Sequence, residues 1–174
     1  MKRLTIPLIV AAAWLPAAAH ATTTAHTARG ARLELRHTSL GNILTNGRGL
    51  TLYRLTLYMF TRDSIDHDRC VAISGCISIW PVLMSHGRPA AGPGVRRSVV
   101  GTIKLPDGVR QVTYAGHPLY TYIGDSGPGD TSYVGQRQFG GTWFAVDSGG
   151  RIVKQRRVAV PQDQRLPSPS LGPP

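Results

Sequence analysis

The sequence predicts an all-β fold in which antiparallel strands from two tandem repeats pack as one small sandwich- or barrel-like domain. The first observation is a repeated unit, because residues 57–63 (LYMFTRD) return as residues 119–125 (LYTYIGD). Two copies of one unit normally pack around a shared core. The second observation is that short runs of Val, Ile, Leu, Thr and Tyr alternate with Gly, Pro, Asn and Asp, which is typical of strands and turns.

The individual strands follow from these runs and the turns between them. The candidate strands are 33–36, 42–45, 50–60, 98–104, 110–115, 118–123, 142–147 and 150–154. The clearest turn signals are Asn46-Gly47, Pro106-Asp107-Gly108 and Gly149-Gly150. Residues 111–120 (QVTYAGHPLY) predict a hairpin with a tight turn at Ala115-Gly116, because Pro118 cannot donate to a ladder and belongs at a strand start or edge.

The first copy of the unit contains a duplication of five residues. Residues 50–54 (LTLYR) are followed at once by residues 55–59 (LTLYM). An odd insertion reverses the two faces of a strand, so the chain has to bulge, loop out or lose register. We therefore predict a bulge or an irregular strand between Arg54 and Leu57.

Both ends of the chain differ from this domain in composition. A basic start, an apolar run over residues 4–19 and the small-residue pattern Ala19-His20-Ala21 predict a signal peptide cleaved after Ala21. The apolar run is short for a membrane span, which makes an uncleaved anchor the weaker alternative. The predicted divisions are a signal peptide at 1–21, a partly disordered N-terminal segment at 22–38, repeat 1 at 39–109, repeat 2 at 110–154 and a disordered, Pro-rich basic tail at 155–174.

Two cysteines, Cys70 and Cys76, stand six positions apart. In an exported protein such a pair favours a disulfide over a metal site or redox centre. A closed metal site needs more ligands than His67, the nearby histidine, supplies. No cofactor is predicted.

The chain is strongly basic, with 20 Lys and Arg against 9 Asp and Glu and a formal net charge of +11. Removal of Lys2 and Arg3 with the signal peptide leaves 18 basic residues and a net charge of +9. This charge favours an anionic envelope component or a protein partner. The basic residues are scattered and form no nucleic-acid signature, which argues against nucleic acid. After the signal peptide the sequence contains no apolar stretch long enough to span a membrane.

Several signatures together resemble a known family. They are GNILT at 41–45, the Tyr-x-aromatic-x-x-Asp units, Cys70 and Cys76 before Trp80-Pro81, QVTYAGHPLY at 111–120, GPGD at 127–130 and GGTW at 140–143. These residues resemble the bacterial "secreted repeat of unknown function" family, over about residues 40 to 152. The resemblance implies an exported bacterial protein of two tandem repeats, with no catalytic residue or cofactor to carry over. Many relatives look like lipoproteins, but this chain has no cysteine at its cleavage site, which disfavours a lipid anchor and favours a periplasmic or extracellular protein.

The motif residues have a structural interpretation and a functional one. Alternation places Tyr58 with Phe60, and Tyr120 with Tyr122, on one strand face, which indicates core packing. Asp63 and Asp125 follow at strand ends, where a carboxylate accepts backbone N–H groups and caps a turn. Trp80 and Trp143, 17 and 18 residues after these aspartates, are interpreted as anchors of the core. Tyr114 and His117 complete the candidate motif residues.

No catalytic or metal constellation is assembled in the sequence. General acid-base chemistry needs two carboxylates or an oriented histidine, and Glu34 is the only glutamate. We therefore favour a non-enzymatic binding or interaction module, whose functional face is sought first around Tyr114 to Asp130. The alternative is a periplasmic metal-binding protein or envelope enzyme that uses Asp63 and Asp125.

Overall fold

The computed structural model describes residues 30–47 and 55–155. Four sequence predictions fall outside these residues. They are the signal peptide, the N-terminal segment up to Arg29, the first half of the five-residue duplication, and the basic tail from residue 156 onward.

The described residues form short strands and very little helix, which confirms the predicted all-β class. The strands are β1 (Arg32–Thr38), β2 (Gly41–Asn46), β3 (Tyr58–Phe60), β4 (Ala90–Ala91), β5 (Val100–Lys104), β6 (Arg110–Tyr114), β7 (His117–Pro118), β8 (Arg137–Gln138), β9 (Gly141–Val146) and β10 (Ile152–Val153). The helical pieces are α1 (Cys76–Ile79) and 3-10 turns at Cys70–Ala72 and Arg97–Val99.

The strands pair in three small sheets. Their orders are β2-β1-β4, β10-β9-β3 with β8 also on β9, and β5-β6-β7. All pairs are antiparallel except β1 with β4, which is parallel. Single bridges connect the sheets, from Thr45 to Thr56 and from Tyr58 to Tyr120. The three sheets are therefore joined through the segment that contains β3.

The segment around β3 separates two clusters of buried side chains. Leu57 and Met59 belong to one cluster, whereas Tyr58 and Phe60 belong to the other. This is the period-two alternation of a strand that is buried on both faces. The first cluster comprises Ala31, Leu33, Leu44, Leu57, Met59, Leu83, Val95, Val112, Tyr114, Leu119 and Val146. The second comprises Ile43, Tyr58, Phe60, Cys70, Cys76, Trp80, Tyr120, Val134, Trp143 and Ala145.

Three of the predicted turns join strands in the structure. Gly149-Gly150 joins β9 to β10, with the Gly150 N–H bonded to the Asp147 carbonyl. The β6–β7 turn has Ala115 at φ 50° and Gly116 at φ 78°, two positive values in succession, as in the mirror-image turns that hairpins favour. The turn at residues 106–108 joins β5 to β6, with the Gly108 N–H bonded to the Leu105 carbonyl. The turn predicted at Asn46-Gly47 stays a prediction: the Asn46 N–H bonds to the Leu55 carbonyl and the Gly47 N–H to the Arg32 carbonyl, and residues 48–54 between them lie outside the described residues.

Two predicted strands are shorter than expected. Instead of a strand at 118–123, the structure has β7 followed by Tyr120 in single bridges to Tyr58 and Val82. Further backbone hydrogen bonds flank the bridge to Val82, from the Leu83 N–H to the Leu119 carbonyl and from the Thr121 N–H to the Pro81 carbonyl, but residues 119–123 form no regular strand. In the described part of 50–60, Thr56 makes only one bridge, to Thr45, and pairing with β9 begins at Tyr58. The bulge or irregular strand predicted between Arg54 and Leu57 falls partly outside the described residues and stays a prediction; the Leu55 carbonyl and the Leu57 N–H bond regularly to Asn46 and Leu44.

Candidate functional site

Each tyrosine of the repeated unit bonds to the aspartate of the other copy. The Tyr58 hydroxyl donates to Asp125 Oδ1 at 2.9 Å, and the Tyr120 hydroxyl donates to Asp63 Oδ2 at 2.8 Å. The two tyrosines also exchange backbone hydrogen bonds, of 2.9 and 3.1 Å. We call these two side-chain bonds the crossed pairs.

The backbone pairings next to the crossed pairs are reciprocal as well. Tyr58 lies opposite Ala145, which is two residues after Trp143. Tyr120 lies opposite Val82, which is two residues after Trp80. The two copies therefore make equivalent backbone pairings with each other.

Two stacked indole rings lie at the centre of this arrangement. The Trp80 and Trp143 ring centroids are 4.0 Å apart, and their planes differ by 1°. Tyr58 meets Trp80 edge-on at 5.0 Å, and Tyr120 meets Trp143 edge-on at 5.1 Å. All four rings are fully buried. Edge-to-face and offset-stacked pairs of this kind stabilise a core beyond their buried area.

The outer aromatics of the motif extend the stack on both sides. Phe60 lies 4.2 Å from Trp143, and Tyr122 lies 4.3 Å from Trp80, between ring centroids. The Trp80 indole N–H donates to Gln138 Oε1 at 2.7 Å. Phe60 and Tyr122 therefore pack against the same cluster as their motif tyrosines, as the alternation predicts.

Burial perturbs the carboxyl groups of the crossed pairs. Burial raises the pKa of Asp63 from 3.8 to about 7, although hydrogen bonds from the Arg69 N–H and the Tyr120 hydroxyl lower it. Burial also raises the pKa of Asp125 from 3.8 to about 7, against the hydrogen bond from Tyr58. Burial and the neighbouring carboxylate raise the pKa of both phenols.

Asp130 provides a contrast in the same region. Its burial is slight, and the effect of hydrogen bonds from Ser126 and Ser132 exceeds the effect of that burial, so the pKa of Asp130 is lowered. Oδ2 accepts the Ser126 N–H and hydroxyl at 3.0 and 2.7 Å, and Oδ1 accepts the Ser132 N–H at 2.8 Å. Asp130 thus closes the loop that contains the GPGD turn.

Two of the candidate motif residues lie apart from the crossed pairs. Tyr114 belongs to the other core cluster, where its hydroxyl donates to the Ser148 carbonyl at 2.8 Å and accepts the Arg96 N–H at 3.1 Å. His117 is half-buried on β7, opposite Tyr114. The remaining eight motif residues form one continuous cluster.

The crossed pairs leave little room for chemistry at Asp63 and Asp125. Each carboxylate is held by the tyrosine of the opposite copy, and Asp63 also accepts the Arg69 N–H at 2.8 Å. Residues 30–47 and 55–155 contain no group of three or more His, Cys, Asp or Glu side chains that could hold a metal ion. The capping role predicted for Asp63 is seen in the Arg69 contact, whereas the tyrosine partners were not predicted.

The structure confirms the disulfide between Cys70 and Cys76. Both cysteines are fully buried, and the Cys76 carbonyl accepts the Trp80 N–H at 2.8 Å. The bridge therefore links the loop at residues 70–76 to the tryptophan at the centre of the core. We call residues 70–79 the disulfide segment.

A surface groove lies between the disulfide segment and the β5–β6 turn. Its volume is about 450 Å³. Its lining is almost entirely apolar: Val71, Ala72, Ile77, Pro81, Val82, Met84, Leu105, Pro106, Asp107 and Val109. Ile77 and Met84 are each 46% exposed. We refer to this feature as the groove.

The second copy of the unit, with Tyr120, Asp125 and Trp143, can be compared with known proteins. Residues 101–147 match the family model of the secreted repeat of unknown function. The matched repeat runs from β5 to just beyond β9, which confirms the resemblance drawn from the motifs. Neither a curated protein nor a solved structure matches the chain. None of the helices within the described ranges has the length and apolar character that a membrane span requires.

The groove residues were not among the candidates drawn from the sequence. They come from segments about 30 residues apart, and none belongs to the repeated unit. The groove also lies outside Tyr114 to Asp130, the stretch in which a functional face was first sought. The available signal was a set of aliphatic residues, Val71, Ile77 and Met84, in segments that also contain polar and turn residues.

Proposed function

We propose that this protein is an exported, non-enzymatic binding module and that its ligand lies in the groove. Export is supported by the signal-peptide pattern at residues 1–21 and by the secreted family that the second repeat matches. A periplasmic or extracellular location without a lipid anchor completes the proposal. Residues 39–109 and 110–154 act as two repeats whose crossed pairs and tryptophans serve as scaffold.

The groove is the observation that carries this proposal. Its volume of about 450 Å³ falls within the roughly 300 to 1,000 Å³ that is usual for ligand sites. Ile77 and Met84 hold large apolar surfaces in contact with water there. A ligand that covers them gains about 0.8 kcal/mol for each methylene removed from water, so the chemistry of the groove favours an apolar ligand group.

The walls of the groove are held in place before a ligand arrives. The disulfide closes one wall. In the turn that forms the other, the Leu105 carbonyl accepts the Gly108 N–H and the Leu105 N–H donates to the Val109 carbonyl. Its floor at Pro81 to Met84 is bonded to β6, where the Leu83 carbonyl accepts the Val112 N–H. Preformed walls lower the entropy that binding costs.

The lining argues against catalysis in the groove. The ionisable side chain in the lining is that of Asp107, whose Oδ1 accepts the Val109 N–H at 3.0 Å. Among the described residues, no histidine, cysteine or serine lines the groove to act as base or nucleophile. The competing proposal, an envelope enzyme or metal-binding protein at Asp63 and Asp125, is favoured by their raised pKa values of about 7. Their burial against tyrosines opposes it.

Fluorescence of the neutral dye Nile red tests the proposal on the full-length mature protein. We expect saturable binding that Ile77→Glu and Met84→Glu each weaken at least tenfold, because a carboxylate in the groove must be desolvated. Ile65→Glu and Ile123→Glu are the matched controls, since these side chains are 61% and 59% exposed and lie outside the groove. Equal binding by all four variants would place the dye elsewhere and overturn the proposal.

A further inference from the structure

We propose that the ligand of the groove is a single-chain amphiphile with an anionic head group, such as a fatty-acid carboxylate. Its chain lies along the apolar lining, and its head group lies beside Arg110. This inference rests on the proposed function, because it names the ligand class for the same groove. Its test is designed to separate failure of the ligand class from failure of the groove.

The groove continues into two further hollows that are more polar. The nearer one, of about 390 Å³, shares Met84, Asp107 and Val109 with the groove and adds His86 and Arg110 to its lining. The farther one, also about 390 Å³, shares His86 and Arg110 with the nearer hollow. A ligand that extends along this path passes from an aliphatic surface to a cationic one.

The cationic end has charge available for an anion. Arg88 lines the farther hollow together with Arg110, and both side chains are exposed. Arg110 Nη1 donates to Thr102 Oγ1 at 3.3 Å, which uses one of the five guanidinium N–H donors. Neither arginine forms an ion pair with any carboxylate in the described part of the chain. A bound carboxylate would therefore not have to displace a protein partner.

One acidic residue lies where the apolar groove meets the cationic end. Asp107 lines both the groove and the nearer hollow, where its charge opposes that of Arg110. The two arginines outnumber it, so the lining of the three hollows keeps a net positive charge with His86 counted as neutral. This arrangement favours an anionic head group over a cationic one.

The apolar extent of the groove selects an amphiphile over a polyanion. A polysaccharide or nucleic acid could meet the arginines, but it would leave Ile77 and Met84 exposed to water. A single acyl chain covers these side chains and carries its charge at one end. The shape and the charge of the lining therefore indicate the same ligand class.

Calorimetric titration of the mature protein with three probes of equal chain length tests the inference. Decanoate should bind about tenfold more tightly than decanol, because its head group gains charge-assisted hydrogen bonds, and decyltrimethylammonium should bind most weakly. Equal affinity for decanoate and decanol overturns the inference and leaves the proposed function intact. Absence of binding by all three probes overturns both.

Matched variants locate the head group. The Arg110→Gln variant should lose the preference of about tenfold for decanoate and keep its affinity for decanol. Arg137 is an exposed arginine on β8 outside the hollows, so the Arg137→Gln variant should bind both probes as wild type does. Asp107→Asn, which retains the turn hydrogen bond, should strengthen decanoate binding. An unchanged preference in Arg110→Gln overturns the inference. Binding to phosphatidylglycerol vesicles without binding of free decanoate also overturns it, in favour of a membrane surface.

Discussion

Tyr58 donates a hydrogen bond of 2.9 Å to Asp125, a residue 67 positions further along the chain that belongs to the other copy of the repeated unit. The equivalent bond, from Tyr120 to Asp63, runs in the opposite direction between the copies. Neither copy can complete its own tyrosine and aspartate contacts. The two halves of the domain are therefore expected to depend on each other for stability.

Removal of either tyrosine hydroxyl should destabilise the fold to a similar extent. Tyr58→Phe and Tyr120→Phe each leave a part-buried carboxyl oxygen without its donor, which costs about 1 to 3 kcal/mol. Urea denaturation of each variant measures the loss. Tyr133→Phe is the control, because that ring packs at a tilt against Tyr122, 4.2 Å away between centroids, but its hydroxyl makes no hydrogen bond within the described residues. A Tyr58→Phe variant as stable as wild type would contradict the structural role of the crossed pairs.

The half-buried carboxyl groups of the crossed pairs predict a free energy of unfolding that falls as the pH rises. Asp63 and Asp125 have an ordinary pKa of 3.8 and a folded-state pKa of about 7, so the folded state binds more protons between these values. The free energy of unfolding therefore decreases from about pH 4 to about pH 7 and then levels off with respect to these groups. Denaturation at several pH values checks this trend.

Asparagine variants identify the source of the pH dependence. Asp63→Asn and Asp125→Asn cannot ionise, so their stability relative to wild type should increase as the pH rises through the same window. Asp130→Asn should act in the opposite direction, because the lowered pKa of Asp130 adds stability that is lost as the pH falls below about 4. Parallel pH profiles for wild type and both buried-site variants would falsify the assignment.

The disulfide should contribute to stability and to the shape of the groove. Closure of the short loop between Cys70 and Cys76 is worth roughly 2 kcal/mol in the chain-entropy model. The double variant Cys70→Ser, Cys76→Ser should lose about that much in urea denaturation and should bind Nile red more weakly, because the wall containing Ile77 loosens. Wild type with the bridge reduced should match the double variant. If reduction of the disulfide leaves the free energy of unfolding unchanged, the bridge does not contribute to stability.

The β6–β7 turn should be sensitive to a side chain at Gly116. Its φ of +78° is costly for other residues, and a Cβ there would meet Ile65 Cγ2 at 2.8 Å. Gly116→Ala should cost about 1 to 2 kcal/mol in thermal or urea denaturation. Gly127→Ala is the control, because no atom of the described residues lies within 4 Å of its Cβ position and its φ is not positive. Equal stability of the two variants would show that the hairpin tolerates the strain.

Some features of the site could be predicted from the sequence. The alternation in Tyr58-Met59-Phe60 predicted that the two aromatics share a face, and the structure places them in one core cluster with Met59 in the other. Short spacing predicted the bridge between Cys70 and Cys76. These features depend on residues close together in the chain, where strand periodicity and loop length fix the geometry.

Other features required the tertiary structure. The period-two alternation of a strand indicates which face a residue occupies. It does not indicate which strand or side chain lies opposite that residue. The crossed pairs form because the backbone of Tyr120 lies between those of Tyr58 and Val82. No local sequence pattern predicts this placement. The same missing information led to a predicted strand at 118–123.

The all-β class, the repeated unit, the local disulfide and the secreted-repeat resemblance could be predicted from the sequence, because each depends on a short motif or on local spacing. The pairing of each Tyr with the Asp of the other copy, and the groove that aliphatic residues around Ile77 and Val109 enclose beside Arg110, are seen only in the folded chain. Such long-range contacts depend on how strands are ordered in space, and hydrophobic periodicity leaves that order open.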